Sequence, residues 1–213
     1  MIENIHWLGH AGFRWDAAKV IYFDPWKLGR DPKKADIICI SHEHFDHFSK
    51  DDIALITTKD TVIVTCAEVA RQIRAAKTAA KEVKALAPGE SCSVEGVKIT
   101  ATASYNTDKE FHTRASKKIG FLVTKDGLTV YHAGDTDKIP EMSSYRCDVA
   151  LLPVSGTYVM TADEAAEAAL AIKPKFVVPM HYGEIVGTAS DARRLGDLLK
   201  GKVEVGVLKK ERS

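Results

Sequence analysis

The chain has 213 residues, a length that suits one domain with a sizeable core. Its 30 basic and 29 acidic side chains give a formal net charge of +1, so no overall attraction draws it to nucleic acid or an anionic membrane. No apolar run is long enough to span a bilayer. We predict one domain, residues 1–213, that acts on a small molecule without a nucleic-acid or membrane partner; homo-oligomer formation stays open.

The first third of the sequence is rich in short strands. Residues 5–8, 12–16 and 19–23 are predicted strands joined by tight turns. The continuous apolar run at 37–40 is typical of a strand buried on both faces. Ser49 then stands where a helix N-cap is expected.

The middle of the chain begins with another buried strand, predicted at 61–65. The alanine-rich stretch 67–81, with its periodic charges, predicts a helix of about four turns. A β-rich region follows, with predicted strands at 91–94, 97–103, 120–124 and 128–132. The Lys125-Asp126-Gly127 turn predicts that the last two form a hairpin.

The last third alternates strands with helices. Predicted strands lie at 148–154, 175–180 and 203–208. A capping box at Thr161 opens a helix that runs through residue 172, and a last helix begins at Ser190 and ends before Gly201. This pattern predicts an α/β or α+β fold in which helices cover sheets.

The cysteines and the amino terminus indicate a cytoplasmic protein. The first six residues lack a basic region followed by an apolar stretch, so we predict no signal peptide. Cys39, Cys66, Cys92 and Cys147 are widely spread and form no C-x-x-C pair, which favours reduced, packed thiols. A metal site in this chain therefore has to be built from histidine and carboxylate.

Polar side chains cluster where predicted strands end. His42, His44, Asp46 and His47 follow the strand at 37–40, and two histidines that are two residues apart project to the same side of an extended chain. Asp135 follows another strand and could bridge two cations. Two divalent ions roughly 3.5–4 Å apart can activate a water molecule at neutral pH.

The spacing H-x-H-x-D-H after an apolar strand resembles the hallmark of the metallo-β-lactamase-fold hydrolases. Residues 22–25 (YFDP), 131–136 (YHAGDT) and 179–183 (PMHYG) look like further motifs of that family. Residues 7–12 (WLGHAG) and 151–156 (LLPVSG) look like the branch that includes ascorbate-6-phosphate lactonase and N-acyl-phosphatidylethanolamine phospholipase D. The resemblance covers essentially the whole chain and implies an αββα sandwich with its site at one edge.

The same resemblance implies two metal sites that share one carboxylate. His42 and His44 would hold the first ion, and Asp135 would bridge the two ions. Asp46, His47 and His181 would hold the second, with Asp46 also orienting the attacking water. The implied cofactors are two divalent ions, Zn²⁺ or Mn²⁺.

One position departs from the family pattern. Asn106 stands where the family supplies a third histidine to the first ion, and asparagine is a poor zinc ligand beside imidazole. His112, six residues later, could complete the site instead. The first site is therefore weak, completed by His112, or empty, and Mn²⁺ would accept an oxygen ligand more readily than Zn²⁺.

Several other side chains are weaker candidates. We place His132 in the catalytic set as a group that orients a ligand. His10 could support a ligand of the site or contact substrate, and Tyr182 is a candidate for contact with substrate. The pair Lys117-Lys118 could meet a phosphate, but ordinary solvated lysines are the favoured interpretation.

The leading hypothesis is a metal-dependent hydrolase that uses a metal-bound hydroxide on an ester, a lactone or a phosphodiester. One alternative is a non-catalytic module that binds a metal or ligand, which Asn106 keeps open. Another is a di-iron redox protein on the same fold. His44 argues against it, because di-iron members of the family typically carry glutamate at this position.

Overall fold

The computed structural model describes residues 2–211, which form two β-sheets and four α-helices. The strands of the first sheet, in order, are β1 Ile5–Gly9, β2 Gly12–Asp16, β3 Val20–Phe23, β4 Ile37–Ile40, β5 Val62–Thr65 and β6 Glu82–Ala85. The second sheet has the order β13 Glu204–Val205, β12 Phe176–Met180, β11 Val149–Pro153, β10 Leu128–His132, β9 Ile119–Lys125, β8 Val97–Ala103 and β7 Ser91–Val94. The helices are α1 Lys50–Ile56, α2 Ala67–Ala75, α3 Ala162–Ile172 and α4 Ala189–Leu199.

Each sheet is antiparallel on one side and parallel on the other. In the first sheet β1, β2 and β3 are antiparallel, and β3 to β6 run parallel. In the second, β7 to β10 are antiparallel, and β10 to β13 run parallel. Both parallel segments carry apolar strands buried on both faces, as β4 and β11 show.

The two sheets pack face to face, with helices outside. Phe13 and Phe23 of the first sheet contact the ring of His132 in the second. Helix α2 contacts β5 and β6, while α3 and α4 contact β11 and β12 on the other side. The predicted αββα sandwich is confirmed. Among the described residues, no helix has both the length and the apolar character needed to cross a membrane.

Two element predictions were wrong. The helix predicted at 67–81 ends at Ala75, because Lys77 takes a left-handed φ of 51° and Lys81 donates its N–H to the carbonyl of Thr61 in the first sheet. The chain then adds the unpredicted edge strand β6, which has no strong apolar pattern. The last strand, predicted at 203–208, is reduced to two residues, Glu204–Val205.

A glycine in β9 lets two strands and a loop come close together. A Cβ on Gly120 would lie 2.6 Å from the carbonyl oxygen of His132 and 2.7 Å from that of Ala133. We expect Gly120→Ala to destabilise the fold by about 1–3 kcal/mol, because the backbone itself must move. Gly196 in α4 is the matched control. A Cβ there meets nothing within 4 Å, and Gly196→Ala should stabilise the helix by about 0.5–1 kcal/mol.

Urea unfolding of the two variants and the parent chain measures both effects. Equal stability of Gly120→Ala and Gly196→Ala would contradict this packing.

Candidate metal centre

Four polar segments meet at one edge of the sandwich because the strands that carry them end there. The segments follow β4, β10 and β12 and fill the β1–β2 turn, and they supply His42 to His47, Asp135, His181 and His10. After β4 the chain curls, because both His47 and Phe48 donate their N–H groups to the carbonyl of His44. The curl places Asp46 and His47 in a different group of potential ligands from His42 and His44.

The first group of potential ligands combines His42, His44, His112 and Asp135. The Nδ1 atom of His44 lies 3.1 Å from Nε2 of His42 and 3.0 Å from Nε2 of His112. The Oδ2 atom of Asp135 lies 3.6 Å from Nε2 of His112 and 3.8 Å from Nε2 of His42. One cation could therefore be reached by all four side chains.

The second group combines His10, Asp46, His47 and His181. The Oδ2 atom of Asp46 lies 2.9 Å from Nε2 of His10 and 3.5 Å from Nε2 of His47. Asp135 also faces this group. Its Oδ1 lies 3.2 Å from Nε2 of His47 and its Oδ2 lies 3.3 Å from Nε2 of His181. Its single carboxylate therefore stands between the two groups.

Hydrogen bonds on the outer side of the rings determine which nitrogens face inward. Ser41 donates its hydroxyl to Asp24, so it accepts from Nδ1–H of His42 at 2.9 Å. Asp24 accepts from Nδ1–H of His47 at 2.7 Å, and Ser155 accepts from Nδ1–H of His181 at 3.2 Å. In their neutral form these three rings therefore present an unprotonated Nε2 to the interior, as metal-ligating histidines do.

His112 follows the same rule, because its Nδ1 lies 3.4 Å from the carbonyl oxygen of Tyr158. Burial lowers the pKa of His112 to about 4 and holds that of His42 well below its usual value. Both rings are therefore neutral at physiological pH, which is the form that binds a metal.

The carboxylates of the centre are held in the ionised form. Burial alone would raise the pKa of Asp135, but the imidazoles of His181 and His47 outweigh it and hold this pKa well below the usual range. Burial would raise the pKa of Asp46, but the hydrogen bond from His10 and the nearby imidazole of His47 outweigh it and lower this pKa as well. Burial opposes a charge on His47, yet Asp135 and Asp24 raise its pKa well above the usual value.

The centre fits divalent ions by its chemistry. Within residues 2–211, Nε2 of His47 and Oδ1 of Asp135 are buried without a hydrogen-bond partner, although they face each other. Unsatisfied buried polar atoms are costly, and a cation would satisfy both. Imidazole nitrogen and carboxylate oxygen are ligands that suit Zn²⁺ and Mn²⁺.

Of the two candidates for completing the first group, the structure brings in His112. Asn106 instead donates its Nδ2–H to the carbonyls of Phe111 and Tyr158, at 3.0 and 2.7 Å. Its backbone N–H donates to the carbonyl of His112 at 2.7 Å. Asn106 thus ties down the loop that carries His112, whose left-handed φ of 58° aims the ring inward.

Three further sequence-based candidates are buried side chains. His132 is fully buried between the sheets, donates Nε2–H to the carbonyl of Ala11 and accepts at Nδ1 from Gly134, so it is in neither group. Tyr182 stacks on Trp7 and is buried beside the centre. His10 is deeper than a substrate contact, because its ring lies against Asp46 and His181.

Sequence reasoning missed a partly buried ion pair beside the centre. Lys118, interpreted as solvated, is only 5% exposed, so that interpretation was wrong. Its Nζ donates to Oε1 of Glu43 at 2.7 Å and lies 3.4 Å from Nε2 of His44. No sequence signal links Glu43 to a lysine 75 positions away. The left-handed conformations of His10 and His181, with φ of 52° and 60°, were equally invisible.

Comparisons with known proteins identify the family of this chain. A family model described as a beta-lactamase superfamily domain matches residues 4–181. The chain belongs to this superfamily. A UPF0173 metal-dependent hydrolase of Methanoculleus marisnigri is 38% identical over 188 residues, which are 84% of this chain and 80% of the relative. Another, from Thermococcus kodakarensis, is 32% identical over 218 residues and 96% of each chain.

A solved structure agrees as well. The crystal structure of a protein from Parabacteroides distasonis, named as a metal-dependent hydrolase, has a TM-score of 0.85 and 32% identity, with 98% of this chain and 93% of that one covered. The predicted class, a metal-dependent hydrolase of the metallo-β-lactamase fold, is confirmed. The resemblance to the ascorbate-6-phosphate lactonase branch stays a prediction.

Proposed function

We propose that the chain hydrolyses an ester, a lactone or a phosphodiester with two divalent ions, Zn²⁺ or Mn²⁺. The observation that carries this proposal is the single carboxylate of Asp135 between two groups of inward-facing histidines. The first ion would be held by His42, His44 and His112, and the second by Asp46, His47 and His181, with Asp135 shared. Such ions would polarise the scissile bond and make a water molecule a stronger acid.

Asp46 is the residue that we assign to orienting the attacking water. Its carboxylate lines a cavity of about 450 Å³ that opens over both groups, and its lowered pKa keeps it ionised as an acceptor. His10 donates Nε2–H to it at 2.9 Å and so holds the carboxylate in one orientation. A fixed acceptor at this point would aim one lone pair of the water toward the substrate.

Ser41, Asp24 and Ser155 have a supporting role. Each accepts Nδ1–H from one histidine of the centre, which fixes the tautomer and the ring plane. The His10 contact and this outer layer make the centre more than a surface patch that binds metal, which favours catalysis over the non-catalytic alternative. All four cysteines, each within the described residues, are free, in keeping with the cytoplasmic location that we infer.

Removal and return of the metal tests the proposal. We expect purified protein to carry close to two divalent ions per chain by elemental analysis, as a shared carboxylate requires. Chelation should abolish hydrolysis of 4-nitrophenyl acetate, a simple lactone or bis(4-nitrophenyl) phosphate, and Zn²⁺ or Mn²⁺ should restore it. A protein with no bound metal and no activity rescued by either ion would contradict the proposal. A coloured, iron-loaded protein would favour the di-iron alternative.

A further inference from the structure

The cavity above the centre has an apolar rim. Among residues 2–211, seven large hydrophobic side chains are exposed, and four of them line this one cavity: Phe45, Phe111, Tyr158 and Ile185. Phe45 is 67% exposed and Phe111 is 51% exposed, which is unusual for phenylalanine at the surface of a folded chain. A cluster of this kind, unlike single exposed residues, marks a binding site.

The rim is built into the same segments that carry the centre. Phe45 lies between His44 and Asp46, and Phe111 directly precedes His112. Both rings are held by aromatic neighbours. Phe45 packs edge-on against Trp26 with ring centroids 5.9 Å apart, and Phe111 packs edge-on against Tyr158 at 5.3 Å. A substrate group that contacts this rim would therefore lie close to the reacting bond.

The charges that line the cavity argue against a phosphate or carboxylate on the substrate away from the reacting bond. In the part of the chain that the structure describes, the residues lining the cavity include three carboxylates, Glu43, Asp46 and Asp135, and no lysine or arginine. Lys118 is not among the lining residues, and its buried ammonium is paired with Glu43. A phosphate or carboxylate away from the reacting bond would find no cationic partner, and sites that clamp phosphoryl groups usually provide one.

We propose that the substrate is an uncharged ester or lactone whose non-reacting part is apolar and rests on Phe45, Phe111, Tyr158 and Ile185. The inference rests on the proposed function for its reacting bond. The cavity of about 450 Å³ lies in the range that holds a small molecule, so the apolar group is a short chain or a ring.

Matched 4-nitrophenyl esters test the proposal on the metal-loaded protein. For each ester, kcat/KM is divided by the rate constant of its hydrolysis by free hydroxide. This corrected value should be about tenfold or more higher for the hexanoate than for the acetate, since each buried methylene contributes a factor of about four. The mono-adipate, a hexanoate with a terminal carboxylate, should fall back to the acetate or below it. A mono-adipate that matches or exceeds the hexanoate overturns the proposal.

Variants of the rim residues test which side chains produce the dependence on acyl-chain length. Phe111→Ala and Ile185→Ala should each lower the hexanoate-to-acetate ratio about threefold to tenfold, whatever happens to the absolute rate. Leu170→Ala, an exposed leucine of α3 outside the cavity, should leave the ratio unchanged. An unchanged ratio in both rim variants overturns the proposal. If the parent protein is a dimer and these variants are monomers with an unchanged ratio, the proposal is also overturned. The rim would then be a contact between copies of the chain.

A binding measurement separates this inference from the proposed function. Saturation-transfer NMR with 4-phenyl-2-butanone, which is uncharged and cannot be hydrolysed, should show transfer to the phenyl protons that Phe111→Ala weakens and Leu170→Ala preserves. Binding without turnover of any ester sinks the proposed ester hydrolysis but supports the apolar rim. Turnover without binding and without dependence on chain length supports the hydrolase and sinks the rim.

Discussion

Asp135→Asn should lower kcat/KM by about three orders of magnitude and strip most of the metal from the protein. The carboxylate lies within 3.8 Å of ring nitrogens of His42, His47, His112 and His181. Asparagine keeps the volume but removes the negative charge that both ions would share. Removing one member of a buried charged set typically costs about 3–5 kcal/mol, which corresponds to a loss of this size.

Asp148→Asn is the matched control for this prediction. Asp148 precedes β11 at the opposite end of the sheet, where it accepts from the N–H of Thr129 and pairs with Lys175. That variant should retain metal and activity. Elemental analysis, ester hydrolysis and thermal unfolding of both variants separate loss of the centre from loss of the fold. An Asp135→Asn protein with full metal content and parental activity would remove Asp135 from the centre.

His112→Ala should lower the metal content from about two ions per chain to about one and lower kcat/KM by at least about 100-fold. The first group then keeps His42, His44 and a carboxylate, that of Asp135, which the second ion would share, so its affinity for an ion should fall. His6→Ala, a partly exposed histidine of β1 outside both groups, should keep both ions. Retention of two tightly bound ions by His112→Ala would show that another residue completes the first site.

The companion variant Asn106→Ala distinguishes a ligand from a residue that positions one. Asn106 holds the carbonyls of Phe111 and Tyr158 through its amide nitrogen and so positions the loop of His112. Its loss should therefore weaken binding of the first ion by about 10- to 100-fold rather than eliminate it. An Asn106→Ala protein that loses the ion as completely as His112→Ala would indicate that the amide itself binds the metal.

The core of the centre could be read from the sequence because it is local. His42, His44, Asp46 and His47 follow one buried strand, and the ends of the strands before Asp135 and His181 identify these residues as well. The apolar runs that make β4 and β11 inner strands also bring their polar successors to one edge of the sandwich. The family spacing, the fold class and the hydrolase class follow from the same pattern.

Tertiary structure decided what local pattern could not. The position of His112 depends on a left-handed turn and on Asn106 bridging two carbonyls, one of them 52 residues away. His10 reaches Asp46 across 36 positions, and Lys118 reaches Glu43 across 75. The physical reason is that hydrogen bonds and packing between distant segments select these conformations. The spacing of nearby residues does not specify such contacts, so the sequence by itself determined the ligand-bearing strand ends, and only the packed sandwich decided which side chains complete the centre.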